Sequence, residues 1–245
     1  MRSFVEYYFA HENDEKYCFE GGTQSGFEIE CRKRNLDPYT PIPVSPPIYW
    51  QPGGEYFKAS KEDTDALLVI KTARELYAKR SALFSAEKKK YKLSNKSLYG
   101  LTGVPSKRWD EFGSRVNDMN MNVFYAYCFF FEYKWEDAER FIYYSTNAFD
   151  NESVTDKLFR MYIDHQTYAL STFVYDVNKI YEIRRKEGKE QKMPSFYDLN
   201  TKTYKYYFDT SLSDCKAANG YRFEEIIEEN HKERDRRRKE YKGTW

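Results

Sequence analysis

The 245-residue chain balances 40 Lys plus Arg against 39 Asp plus Glu, which argues against a dedicated nucleic-acid binder with its usual basic excess. Aromatics reach 19% and charged residues 32%, yet there are only 11 glycines, few for an enzyme built on tight turns and phosphate loops. The balance points to a helical protein with wide amphipathic contact surfaces, because Tyr and Trp combine large apolar area with a polar handle.

The N-terminal "MRSFVEYYFAHENDEKY" lacks the apolar stretch of a secretory signal and is too acidic for a mitochondrial presequence. The expectation is a protein that is not secreted, either cytoplasmic or cytoskeletal, or mitochondrial and imported without a cleaved presequence. Cys18 and Cys31 are separated by twelve residues, and no CxxC occurs. That spacing fits no standard zinc module, so all four cysteines read as ordinary thiols. "EGGTQSGFE" has neither a preceding apolar strand nor a following helix and reads as a turn, not a phosphate loop.

Six of the eight prolines fall between Pro38 and Pro52. Proline fixes φ, removes a donor and pushes its predecessor extended, so this stretch reads as a non-helical strap. It carries Tyr39, Tyr49, Trp50, Tyr56 and Phe57, apolar content that a solvated linker would not need. Residues 1–59 are therefore expected to form an extended arm laid over a surface. The PxxP spacings within it are also compatible with an SH3-type ligand, but that motif is short and common.

A helical domain is predicted over residues 60–220. Ser60 with Asp63 resembles a capping box, and Ala66, Ile70, Ala73, Tyr77 and Phe84 recur at helical spacing. Ser106 is a second candidate cap, for a short helix carrying Trp109, Phe112 and Val116. The next helix is expected from about Asn120 to Phe149. Its first half, "FYAYCFFFEYKW", is aromatic at eight of twelve positions. The uninterrupted apolar run Val123 to Phe131 spans roughly 14 Å as a helix, too short for the ~30 Å hydrocarbon core of a membrane. A helix that is apolar all round must be buried all round, by its own chain or by a partner. Phe124, Tyr125, Phe129, Phe130 and Tyr133 are accordingly candidate contact residues.

Ser153 with Asp156 caps the longest candidate helix, thirty-odd residues ending near Gly188 and Pro194. "KTYKYYF" reads as a short strand or a loop. A charged C-terminal helix is predicted over 221–245, anchored by Phe223, Ile226 and Ile227. Beyond these, "EENHKERDRRRKEYKGTW" has no apolar face and projects into solvent or lies along a partner. Arg236, Arg237 and Arg238 are candidate contacts there, for acidic protein surfaces before RNA.

No catalytic, cofactor-binding or metal motif is found. Glu228 with His231 is half of a di-iron signature, but no second copy exists. The fold expected is mainly α: an irregular helical bundle with an extended proline- and aromatic-rich N-terminal arm and a charged C-terminal helix. The function expected is that of a non-catalytic accessory or structural subunit whose partners are other proteins of a large complex. A supernumerary subunit of a mitochondrial respiratory or ATP synthase complex would have this make-up, as would a protein of a ciliary microtubule. The alternatives are an RNA-associated subunit, or a helical ligand-binding protein or enzyme with a pocket around His165, lined by Tyr125, Tyr162 and Tyr168.

Overall fold

Short polar residues open the helices. Ser3, Ser25, Ser94, Asn120 and Ser153 each accept a backbone N–H from the first turn of a helix that begins one residue later. In the computed structural model, which describes residues 3–19, 24–40, 61–114, 119–189 and 207–242, these helices are α1 (Phe4–His11), α2 (Gly26–Lys33), α4 (Asn95–Thr102), α6 (Met121–Phe130) and α8 (Val154–Asp164). Between and after them lie α3 (Lys61–Lys90), α5 (Ser106–Ser114), α7 (Trp135–Tyr143), α9 (Leu170–Lys186) and α10 (Phe223–Lys242). Ser106 is the first helical residue of α5 and not its cap. The one sheet among the described residues is a hairpin of β1 (Lys216–Ala217) and β2 (Gly220–Tyr221). The fold is mainly α, an irregular bundle.

The centre of the bundle is α6, in which every residue from Val123 to Phe130 is buried. Phe84 of α3 and Phe112 of α5 close on Tyr127 at 5.7 and 5.6 Å. Phe141 of α7 lies 5.9 Å from Phe124. Phe159 of α8 and Phe173 of α9 meet Phe129 at 5.5 and 5.0 Å. The all-round apolar helix is thus covered by this chain itself.

Two long helices expected from periodicity are each broken in two. The first stops at Phe131 and restarts at Trp135, and the second stops at His165 and restarts at Leu170. Glu132 and Gln166 sit at the breaks in left-handed conformation, φ 55° and 51°. Each break is closed by paired bonds: Tyr133 N–H to the Cys128 carbonyl with Glu132 N–H to Phe129, and Thr167 N–H to Tyr162 with Gln166 N–H to Ile163. This is the Schellman stop, normally signalled by glycine. Asn35 and Lys92 do the same after α2 and α3. Gly188, φ 69°, is the expected stop after α9.

The N-terminal residues depart furthest from expectation. Where an extended arm is predicted from residue 1, α1 and α2 fold into the body. Phe4 stacks on Tyr162 at 4.0 Å, and Tyr8 and Tyr17 are buried in the main core. Arg184 pairs with Glu12, and Lys157 Nζ donates to the Glu12 carbonyl at 2.6 Å. At eight residues each, α1 and α2 are too short for a 3.6-residue period to declare itself. Beyond Pro38, Tyr39 and Thr40 the proline strap lies outside the described residues, as does most of "KTYKYYF".

The last helix also differs from expectation. It docks along α4 through a mixed stripe of Ile227, Asn230 and Arg234, while Arg237 reaches the Tyr207 carbonyl and the Phe208 ring. Asn230 Nδ2 donates to the Gly100 and Leu101 carbonyls at 3.1 and 3.2 Å. Arg234 is buried over the rings of Tyr99 and Phe208, at 4.3 and 5.1 Å. Asn and Arg thus occupy positions where an apolar pattern would be sought.

Candidate contact surfaces

Several tyrosines hold buried or half-buried carboxylates by their hydroxyls, and this arrangement decides what becomes of the pocket expected around His165. The Tyr125 hydroxyl donates to Asp156, and the Tyr162 hydroxyl to Asp176 at 2.6 Å. Both bonds are internal to the core. His165 lies outside it, exposed at the end of α8, with its ring edge-on to Tyr7 at 4.8 Å and Phe4 at 5.7 Å. Tyr168 reaches the Tyr133 carbonyl. The four residues do not converge on one cavity.

Burial pushes the Asp156 carboxyl up to about 6, against the bonds it accepts from Tyr125 and from the Asp150 N–H. Asp176 and Glu87 are raised by the same cause. Glu87 takes the Tyr127 hydroxyl at 2.5 Å, and Tyr127 meets the Tyr133 hydroxyl at 2.8 Å. Tyr133 is therefore committed to an internal network.

The predicted contact residues are redistributed. Phe124, Tyr125, Phe129 and Phe130 are buried beneath this chain's own helices, so they hold the core and offer no surface. Arg236 pairs with Glu233 and Glu240, Arg237 with Glu233 and the Tyr207 carbonyl, and Arg238 with Asp235. Those arginines face carboxylates of their own helix. Tyr39 is exposed, 72%, its hydroxyl donating to Glu28 of α2 at 2.5 Å. Tyr49, Trp50, Tyr56 and Phe57 lie outside the described residues.

An exposed apolar surface occurs instead on α3. At about 1.5 Å per residue its 30 residues reach ~45 Å, and of them Phe84, with Leu83 packed against it, joins the main core. The first half carries α2, with a small separate cluster of Cys31, Leu36 and Val69 against Phe27. Arg34 fastens this pairing through Thr72 Oγ1 at 3.0 Å and Glu75 at 2.7 Å. Residues 66–70 read "ALLVI". Successive helical residues point about 100° apart, so five in a row cover every direction. Ala66 and Val69 face inward, while Leu67 and Leu68 are 50% and 39% exposed. The signal is the one that picked out α6, an apolar run with no polar face.

A cleft of about 770 Å³ opens between α2, α7 and the segment that follows α1. Its floor stacks Phe19 on Trp135 and Phe149, at 5.8 and 5.1 Å. The Asn151 amide clasps Phe19 by both backbone groups, at 2.6 and 3.2 Å. Arg160 lies 3.9 Å over Trp135 and pairs with Asp164, which also takes Lys16. Glu139 on the rim is raised by burial, with Arg160 pulling the other way. Gly26 in the wall allows a close approach of α2 to the end of α7, since a Cβ there would lie 1.8 Å from the Tyr143 carbonyl oxygen.

Among the described residues, no group of three His, Cys, Asp or Glu side chains could hold a metal ion, and no helix is long and apolar enough to cross a membrane. Compared with protein-family models, curated proteins and solved structures, the chain matches none.

Proposed function

We propose that this chain is a non-catalytic accessory subunit that stabilises a multiprotein assembly, and that the first half of α3 is where it meets its neighbour. The observation that supports this is the exposed pair Leu67 and Leu68 on a helix segment apolar in every direction. Exposed Leu is ordinary when scattered singly. Two adjacent leucines in an all-apolar stretch, on the part of the helix that carries the small separate cluster, are the make-up of an interface whose other half is another protein. Tyr39 on the neighbouring α2 side has the aromatic character of an interface anchor.

The test is to follow a tagged chain through native fractionation of its source cells. Wild type should travel in a high-mass assembly. Leu67→Asp/Leu68→Asp should travel as a free chain while its melting curve stays that of the wild type. Wild type recovered only as a monomer, or an assembly unmoved by the double substitution, would sink the reading.

A further inference from the structure

The end of α3, the start of α4, the hairpin and the first turn of α10 enclose a second cleft, of about 600 Å³. That volume falls within the range of small-ligand sites. Its walls combine rings with cations. Tyr91 meets Tyr221 edge-on at 5.4 Å, and Tyr221 lies nearly parallel to Phe223, 5.0 Å apart and inclined by 2°. Tyr221 is 42% exposed, so the outer member of this stack meets solvent.

The hairpin sets its position. Lys216 pairs with Tyr221 across a two-residue loop, Gly220 takes φ 125° to make the turn, and the Arg222 N–H closes on the carbonyl of buried Cys215 at 2.9 Å. Tyr221 is therefore a platform held by backbone bonds.

Three cations line the same cleft. Lys90 Nζ lies 4.9 Å over the Tyr91 ring, Lys92 makes no ion pair with the described residues, and Arg222 has Glu225 at 3.5 Å. Glu224 and Glu225 are also in the wall, and the second is already the partner of Arg222.

We propose that this cleft binds single-stranded nucleic acid, with a base stacked on Tyr221 and its flanking phosphates held by Lys90, Lys92 and Arg222. Single-strand sites join a cationic track to an aromatic platform, because every base has a π-face and every linkage a charge. A duplex keeps its bases stacked inside and has no use for the ring. An acidic peptide would engage the cations and leave Tyr221 idle. The near-neutral net charge does not oppose this, since what attracts a strand is the local distribution of charge. The tail arginines Arg236, Arg237 and Arg238 do not line this cleft and are not the footprint. The inference stands apart from the α3 interface and survives its failure.

The experiment is fluorescence polarisation of labelled oligo-uridine and oligo-thymidine on the full chain, titrated with salt from about 50 mM. Saturable binding is expected. Lys90→Glu/Lys92→Glu should weaken it at least about tenfold and flatten the log–log salt slope by about 1.4, at roughly 0.7 per phosphate released. Tyr221→Leu should weaken it about 5- to 100-fold with the slope unchanged, whereas Tyr221→Phe should retain it. Arg238→Gln should bind as wild type. Absence of binding at low salt overturns the proposal. So does indifference to Tyr221→Leu in a variant that melts like wild type, or a loss confined to Arg238→Gln.

Discussion

Asp156 shows how a single buried carboxyl writes itself into stability. Burial raises it from the ordinary 3.8 to about 6 in the fold. Between those values the folded chain holds a proton that the unfolded chain has released, so stability falls as pH rises through this window and is flat above it. The contribution is about 3 kcal/mol at ~1.4 kcal/mol per pH unit. Asp156→Asn removes the titration. The stability advantage of wild type over this variant, measured by denaturant melts, should shrink by about that amount from pH 3 to pH 7. A constant gap would mean that Asp156 titrates alike in both states. Gly26 is a residue whose role is to be small. Its backbone carries no positive φ, and the constraint is the Tyr143 carbonyl against which any Cβ would collide. Gly26→Ala must push α2 off α7, and a loss of about 1–3 kcal/mol is expected in a thermal or denaturant melt. Retained stability would show that α2 can shift without cost.

At the level of elements, the helix breaks are the informative feature. A non-glycine residue in left-handed conformation costs on the order of 1 kcal/mol, so something must offset it. At Glu132 the compensation is visible. Its carboxylate accepts the Ser211 hydroxyl at 2.5 Å, and the Ser213 hydroxyl and N–H at 2.6 and 3.0 Å, binding the segment before the hairpin to the turn between α6 and α7. Gln166 is exposed and makes no such clamp among the described residues. The same substitution should therefore act in opposite directions. Gln166→Gly should relieve strain and stabilise by about 0.5–1 kcal/mol, whereas Glu132→Gly should destabilise by about 1–3 kcal/mol because its bonds go with it. Equal shifts of the same sign in the two melts would refute this account. The docking of α10 carries a related lesson, that a helix without an apolar face can still be fastened by Asn230 and Arg234, one through its amide and the other through its guanidinium plane.

At the scale of the whole molecule, burial and exposure assign different work to two apolar segments. Phe129 is enclosed by Phe159, Tyr162 and Phe173. Phe129→Ala should cost about 3–5 kcal/mol of stability, and any loss of assembly should follow from unfolding. Leu67→Asp/Leu68→Asp lies on the outer side of α3, and its melt should stay within about 0.5 kcal/mol of wild type. A cooperative melt of Phe129→Ala at the wild-type midpoint would contradict the description of α6 as the centre of the core.

Much of the architecture was legible in the chain because it is local or repetitive. The helical class follows from apolar periodicity and sparse glycine. The Ser153 cap follows from a short polar residue before an apolar run, and the burial of Val123 to Phe131 from the absence of any polar face. The places where the helices stop were not legible. Glu132 and Gln166 look like ordinary helix formers, and the apolar pattern runs on through both breaks because the helices on either side bury against one core. What stabilises the turn at Glu132 comes from serines 79 and 81 residues away. Which apolar run is left exposed was equally hidden: α6 and the start of α3 carry the same signal. Only the arrangement of α5, α7, α8, α9 and the second half of α3 around α6 covers the first, while Leu67 and Leu68 stay exposed. Local chemistry settles what a segment can form. Whether it ends up inside or outside depends on long-range contacts that no window of sequence contains.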